Sequence, residues 1–353
     1  MDFKEVLKHL SEAGGVSGQE GPVRYIASDA LGKYADDVRV DTFGNIVALK
    51  RATIQRTNES PRVMLAAHYD EIGLIVTKIE ERGFLRFSTV GGVDPRTLPG
   101  QEVVVQGREP FVGIIGAKPP HVQSPGESKN VIKLEELFID IGLSEDEAKK
   151  FIKVGDLVNF KRDFVELSDN MVAGKSMDDR AGLVVILKAL KELSMLNHQV
   201  DVYAVATVQE EVGVRGATVS TYGITPDIGI AIDVTHGHME GVSKRDTVQM
   251  GGGSAISIGP HVHPKLFQSF VDISREVNIP YQIEASPTPA GTDAFAIQIT
   301  REGVASALIS IPLRYMHTSV EVASMDDIKE AGRLIAAFIA RIDQQYVEEL
   351  KCF

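Results

Sequence analysis

Apolar and polar residues along the chain alternate with a helical period at both ends and with a strand period in the middle. Residues 1–15, MDFKEVLKHLSEAGG, bring Phe3, Val6, Leu7 and Leu10 to one side of an amphipathic helix, and a second helical stretch is predicted over 21–31. VRVDTFGNIVALK (38–50) and RVMLAAH (62–68) read as strands, with Gly44 and Asn45 suiting a tight hairpin turn. Between about 70 and 164 the texture becomes short strands separated by glycine: IGLIVTKI, GFLRFSTV, QEVVVQG, FVGIIGAK and DLVNF. That spacing predicts a small barrel or sandwich, interrupted by one charged helical patch, LEELFIDIGLSEDEAKKF (134–151).

After residue 165 helices and strands alternate again, through AGLVVILKALKEL, VDVYAVATV, IGIAID, KLFQSFVDISREV, ALISI and a long C-terminal helix from Ser324. The expectation is an α/β fold whose mixed sheet is covered by helices on both faces. Residues 1–69 and 165–353 then form one discontinuous domain, and 70–164 an inserted β-barrel domain.

Composition narrows the function. The 353 residues are 43% hydrophobic, enough for a large core, and no apolar run approaches the roughly 20 residues needed to span a bilayer. Formal net charge is -12 with dispersed Lys and Arg, which disfavours nucleic acid as a partner. The start of the chain lacks the pattern of a secretory signal, and a single cysteine, Cys352, agrees with a reducing compartment, so the cytoplasm is expected.

Five stretches run from β-rich apolar segments to metal-binding residue types: VMLAAH to His68, VYAVATVQEE to Glu210 and Glu211, IGIAID to Asp233, ALISIPLRYMH to His317, and SMDDR with Asp178. In an open α/β sheet, ligands gather beyond the carboxyl ends of strands, so these side chains are expected to converge. Two imidazoles and at least three carboxylates at one rim make a cage for two divalent cations and point to hydrolysis by metal-activated water.

Each residue also has a blander reading. His68, with Asp70 two positions on to accept its second ring N–H, is equally a strand-end histidine satisfied by hydrogen bonds. SMDD at 176–179 has the form of a helix-capping box, and the same tetrapeptide recurs at 324–327, where capping is all it needs to do. Glu210 and Glu211, in extended backbone, point to opposite sides, so one can face a cation while the other serves as general base; as an isolated pair they read as a solvated turn. Asp233 ends an apolar strand and needs a partner there. In GTDA, Asp293 caps a helix or walls a substrate pocket, and Arg314 attracts an acidic side chain or is structural. The glycines at 251–253 lack the lysine and spacing of a phosphate loop.

Together, AAHYDEIG, SMDDRAG, VQEEVGVRGA, AIDV, AGTDA and IPLRYMHTSVE resemble the tetrahedral (TET) family of co-catalytic metallo-aminopeptidases, which includes glutamyl aminopeptidases and proteins once labelled endoglucanases. The resemblance implies His68 and Asp233 as ligands of one cation, Glu211 and His317 of the other, Asp178 bridging, Glu210 as general base and Asp70 supporting His68. It implies dimers built on the β insertion that can assemble into a dodecameric tetrahedron; zinc fits the nitrogen and carboxylate donors best, with cobalt or manganese as substitutes, and short peptides are the expected substrates. MGGGSAIS (250–257) departs from the glycine-lysine-glycine turn of the pattern. Two rival activities remain: a metal-dependent deacylase or amidohydrolase, and a glycoside hydrolase, which sits poorly with the absence of tryptophan and 6% aromatics. A non-catalytic assembly protein is a further reading, opposed by the full ligand set.

Overall fold

The computed structural model describes residues 2–55, 59–122, 132–287 and 291–350. The chain opens with α1 (Phe3–Glu12), α2 (Gly21–Gly32) and strands β1 (Asp37–Val40), β2 (Ile46–Lys50) and β3 (Arg62–His68). There follow β4 (Gly73–Ile79), β5 (Leu85–Val90), β6 (Glu102–Gln106), β7 (Pro110–Gly116), β8 (Phe138–Asp140), α3 (Glu145–Phe151) and β9 (Leu157–Phe160). The chain then runs through β10 (Val165–Glu166), β11 (Met171–Gly174), α4 (Met177–Leu193), β12 (Asp201–Thr207), α5 (Arg215–Ile224), β13 (Ile228–His236) and β14 (Ser254–Ile258). It ends with α6 (Pro264–Glu276), β15 (Tyr281–Ala285), α7 (Asp293–Gln298), β16 (Ala305–Arg314), β17 (Glu321–Ser324), α8 (Met325–Ile339) and α9 (Gln344–Glu348).

An 11-stranded mixed sheet runs β1-β2-β12-β3-β13-β16-β17-β11-β10, with β14 and β15 branching from β16. Its centre is parallel: β12 on β3, β3 on β13, and β13 on β16. Alternation along these strands divides the core. Val63, Leu65 and Ala67 of β3 pack with α4, α6 and α8 on one face, while Met64 and Ala66 pack with Ala217 of α5 and Ala294, Ala296 and Ile297 of α7 on the other. His68 has the parity of Met64 and Ala66, and Asp233 that of Ala231, so both emerge on the α5/α7 face above the end of that packing.

Strands β4-β5-β8-β7-β6-β9 close a barrel around a separate core of Leu74, Val103, Val105, Ile139 and Val158. This revises two local expectations. The patch at 134–151 is not one helix: Phe138–Asp140 is the strand that closes the barrel, and only Glu145–Phe151 is α-helical. Ile139, fully buried and opposite Leu85 and Ile115, wins over the charged residues around it. The β1–β2 hairpin pairs Val40 with Ile46, so its loop is five residues rather than a two-residue Gly-Asn turn. The Asp41 carboxylate organises it by accepting from the amides of Phe43, Gly44 and Asn45.

Candidate metal centre

Four of the expected ligands lie along the carboxyl rim of the parallel strands. His68 ends β3, Asp233 lies near the end of β13, Glu211 follows β12, and His317 follows β16 by three residues. Asp178 reaches the same point from the start of α4. Their ligand atoms form two groups, His68 with Asp178 and Asp233, and Asp178 with Glu211 and His317, each drawn within 4.8 Å.

Asp178 divides its two oxygens between the imidazoles: Oδ1 is 3.0 Å from His68 Nε2 and Oδ2 is 3.3 Å from His317 Nε2. Each ring turns its other nitrogen to an acceptor. His68 Nδ1 faces Asp70 Oδ1 at 3.5 Å, and His317 Nδ1 lies 3.0 Å from the Gly92 carbonyl at the edge of the barrel. With a cation bound, a proton on Nδ1 of each ring would leave both Nε2 lone pairs free to ligate.

The backbone around these residues departs from what their neighbours in sequence suggest. Ser176 is left-handed at φ 58 and makes no side-chain cap, and Asp178 and Asp179 have non-helical angles. The second SMDD behaves as a cap should: Ser324 accepts from the amides of Asp326 and Asp327. Gln209 (φ 56) and His317 (φ 61) are also left-handed. Glu210 and Glu211 thus sit in a turn rather than in extended backbone, and their orientation has another source. Asp70 accepts from the Glu210 amide (3.1 Å), the Glu211 amide (3.3 Å) and the Ser17 hydroxyl (2.5 Å), holding the turn as well as facing His68.

Nearly all these groups are buried, and their titration shows the strain of collecting acids there. Burial, joined by Asp233 and opposed by His68, pushes Glu210 up to about 10. Burial and the Asp178 charge take Glu211 to about 8 and Asp233 to about 7. Asp178 goes the other way: burial acts upward, but hydrogen bonds to His317 and His68 outweigh it and hold the carboxyl below its usual range. The bond to Asp178 raises His317 to about 9. Four acids and two imidazoles in a low-dielectric pocket are short of positive charge, and Glu210 Oε1 is buried without a partner. Divalent cations between the two groups would offset that deficit, and the mixed imidazole and carboxylate donors suit metals of the zinc, cobalt and manganese type.

The two residues expected at the substrate side have different settings. Asp293 is the first residue of α7; its Oδ2 accepts from Thr207, Oδ1 has no partner, and burial takes the carboxyl to about 6. Thr207 pairs with His68 in the sheet register, which sets Asp293 beneath the cage. Arg314 ends β16 and donates from Nε to the His238 carbonyl at 2.7 Å, tying down the loop after β13.

Sequence reasoning overlooked two buried acids. Glu71 accepts from the Gly15 amide, Asn159 of the barrel and Lys175, and also bonds Ser176. Glu321 accepts from the amides of His317 and Asp178. A signal for both was present, since each charge stands beside an apolar strand, in HYDEIG and in the buried EVAS strand.

A sheet rim that gathers two imidazoles and three carboxylates into two groups sharing Asp178, with Glu210 beside them, defines a metal-dependent hydrolase site. Residues 44–334 match the model of the M42 glutamyl aminopeptidase family. The chain is 37% identical to a lysyl aminopeptidase of Pyrococcus furiosus over 344 residues, 96% of this chain and 97% of that protein. Among solved structures, an aminopeptidase from the archaeon Desulfurococcus kamchatkensis superposes with a TM-score of 0.91 at 41% identity, covering 99% of this chain and 98% of that one. The Pyrococcus horikoshii TET1 peptidase, which can assemble into a tetrahedron or a large octahedral shell, gives 0.84 at 32% identity over 97% of this chain and 100% of that one. The chain belongs to the M42 family and is a metal-dependent aminopeptidase, which sets aside the glycoside hydrolase and deacylase readings. Among the described residues no helix is long and apolar enough to cross a membrane.

Proposed function

We propose that this chain removes N-terminal residues from short peptides at a site for two divalent cations, with zinc the best match and cobalt or manganese able to replace it. His68 and Asp233 would hold one cation and Glu211 and His317 the other, with Asp178 common to both groups. The observation that carries the reading is the division of the Asp178 oxygens between two imidazoles whose Nδ1 atoms both face acceptors. When bound, the cations supply an acidified water and a positive field for the oxyanion of the tetrahedral intermediate.

The protein's own groups do the rest. Glu210 Oε2 is 4.0 Å from His68 Nε2 and Oε1 is unpartnered, so this carboxylate borders the cage without a competing bond. It takes the proton of the attacking water and delivers it to the departing amine as the C–N bond breaks. Asp70 keeps it in place through the Glu210 amide and orients His68. Asp293 forms the floor of the substrate side. Arg314 walls it by holding the His238 loop.

The division of the chain into a catalytic domain of residues 1–69 and 165–353 and an inserted domain of 70–164 is supported by the two separate cores. We assign the insertion to dimer formation, supported by Val112 (53% exposed) and Ile114 (44%) on the outer face of β7. Assembly of such dimers into a tetrahedral dodecamer is supported by the likeness to TET1 peptidases of that form. A cytoplasmic location fits the low cysteine content.

Elemental analysis of purified protein, with a panel of aminoacyl-p-nitroanilides and their N-acetylated counterparts, tests the reading. Two equivalents of metal per chain and turnover restricted to free amines are expected. Metal-independent turnover, or preference for the acetylated compounds, would overturn it.

A further inference from the structure

Two buried acids hold the cage by its backbone. On one side Asp70 accepts the amides of Glu210 and Glu211. On the other, Glu321 Oε1 accepts the amide of His317 at 2.8 Å and Oε2 accepts that of Asp178 at 3.2 Å. Glu321 is 2% exposed, opens β17 and pairs with Gly174 of β11, placing it between the segment that carries Asp178 and the one that carries His317. Both segments contain backbone that rarely persists unaided: His317 is left-handed, and Asp178 lies two residues after left-handed Ser176. Such conformations survive where surrounding bonds over-determine them.

Resting on the two-cation reading above, we propose that Glu321 is a positioning residue for the second cation, fixing His317 against Asp178 by accepting one backbone amide from each. It reaches the metal only through those residues. The carboxylate is needed because both partners are donors: an amide side chain can satisfy one N–H and must point its own NH2 at the other. Burial and the Asp178 charge raise the Glu321 carboxyl well above its ordinary range, and the two amide bonds act against that rise. Asp233 and His68 are bound by neither contact, so the first cation position has no such dependence beyond the shared Asp178.

The test is metal uptake by the full chain. Metal-free wild type, Glu321→Gln and Glu321→Ala are titrated with Co2+, with elemental analysis for stoichiometry and visible absorption for geometry at each site. Wild type is expected to take up two ions. In E321Q and E321A the first should bind as in wild type, and the second about 10 to 100-fold more weakly, the range for loss of a group that orients a ligand. E321Q should be the milder, since it keeps one N–H bond. Retention of the first ion with an unchanged spectrum reports that a variant is folded, and the nearly isosteric E321Q serves if E321A is not. Two ions bound by E321Q with wild-type affinity would overturn the role of Glu321 while leaving the two-cation reading intact. Fewer than two ions in wild type would overturn both.

Discussion

Replacing Glu71 with Gln should destabilise the fold through Lys175. The Glu71 carboxylate is 2% exposed and joins three parts of the molecule: Gly15 after α1 (2.8 Å), Asn159 of the barrel (2.8 Å) and Lys175 ahead of the Asp178 segment (2.5 Å). Burial acts to raise its pKa, but the charges of Lys175 and Arg180 hold it at about 2 against an ordinary 4.5. A displacement of that size corresponds to roughly 3 kcal/mol in favour of the folded state. Because the folded value is the lower one, this contribution is complete above pH 4.5 and fades as pH falls toward 2. An independent argument agrees, since removing one member of a buried ion pair costs about 3 to 5 kcal/mol.

Neutralisation of the surviving partner limits the loss. Burial already takes Lys175 down to about 8 with Glu71 beside it, so without that charge the amine gives up its proton near neutral pH. Arg180 retains the carbonyls of Leu10, Ala13 and Tyr69 in any case. The expected loss in E71Q is therefore about 3 kcal/mol, and at about 2 °C per kcal/mol for a large cooperative unit the midpoint falls by roughly 6 °C. Adding Lys175→Met, which removes the stranded cation and fills its space, should recover most of that, giving a favourable coupling of at least about 2 kcal/mol in the double-mutant cycle. Thermal unfolding at pH 7, with chelator present so that cation binding does not move the midpoint, reads all four proteins. Strictly additive losses, or an E71Q that melts with wild type, would refute the argument.

Glu210→Gln should retain both metal equivalents and lose about 10² to 10⁴-fold in kcat, as expected for removal of a general acid-base, measured by elemental analysis and initial rates. Exhaustive chelation should abolish turnover and lower the melting midpoint, and cations re-added at about 100 times their dissociation constant should restore roughly 2.7 kcal/mol of stability per site filled. A β-carbon on Gly92 would lie 2.7 Å from His317 Nδ1, so Gly92→Ala should displace that ring and raise the metal concentration needed for half-activation, with secondary structure by circular dichroism unchanged. Ser324→Ala should cost about 1 kcal/mol in a melt through loss of the α8 cap, with kcat unaffected.

Part of the candidate metal centre was legible because two of its proposed ligands obey one rule. His68 and Asp233 lie at the ends of strands buried on both faces, where a polar side chain interrupts an otherwise apolar run. Parity then carries both to the same face of the sheet, and parallel pairing carries them to the same rim. The barrel was legible for a related reason, since five of its strands alternate or run apolar between glycines. Its sixth did not show because Phe138–Asp140 is three residues long and lies between acidic segments, and only the closed barrel reveals that Ile139 points inward.

What local sequence could not convey is how the acids are held. SMDD occurs twice in this chain. At 324 the serine hydroxyl accepts from the backbone of its own helix, as the motif predicts. At 176 the same hydroxyl donates to Glu71, more than a hundred residues away in sequence, and the amide of Asp178 goes to Glu321. The tetrapeptide is indifferent between these outcomes, and buried carboxylates outside it decide. Without Glu71 and Glu321 as acceptors, residues 176–179 have every reason to form an ordinary capped first turn, which would not hold the Asp178 oxygens between His68 and His317. On the proposed reading the candidate metal site depends on two acids outside the ligand set, and a search confined to ligand types at strand ends passes over both.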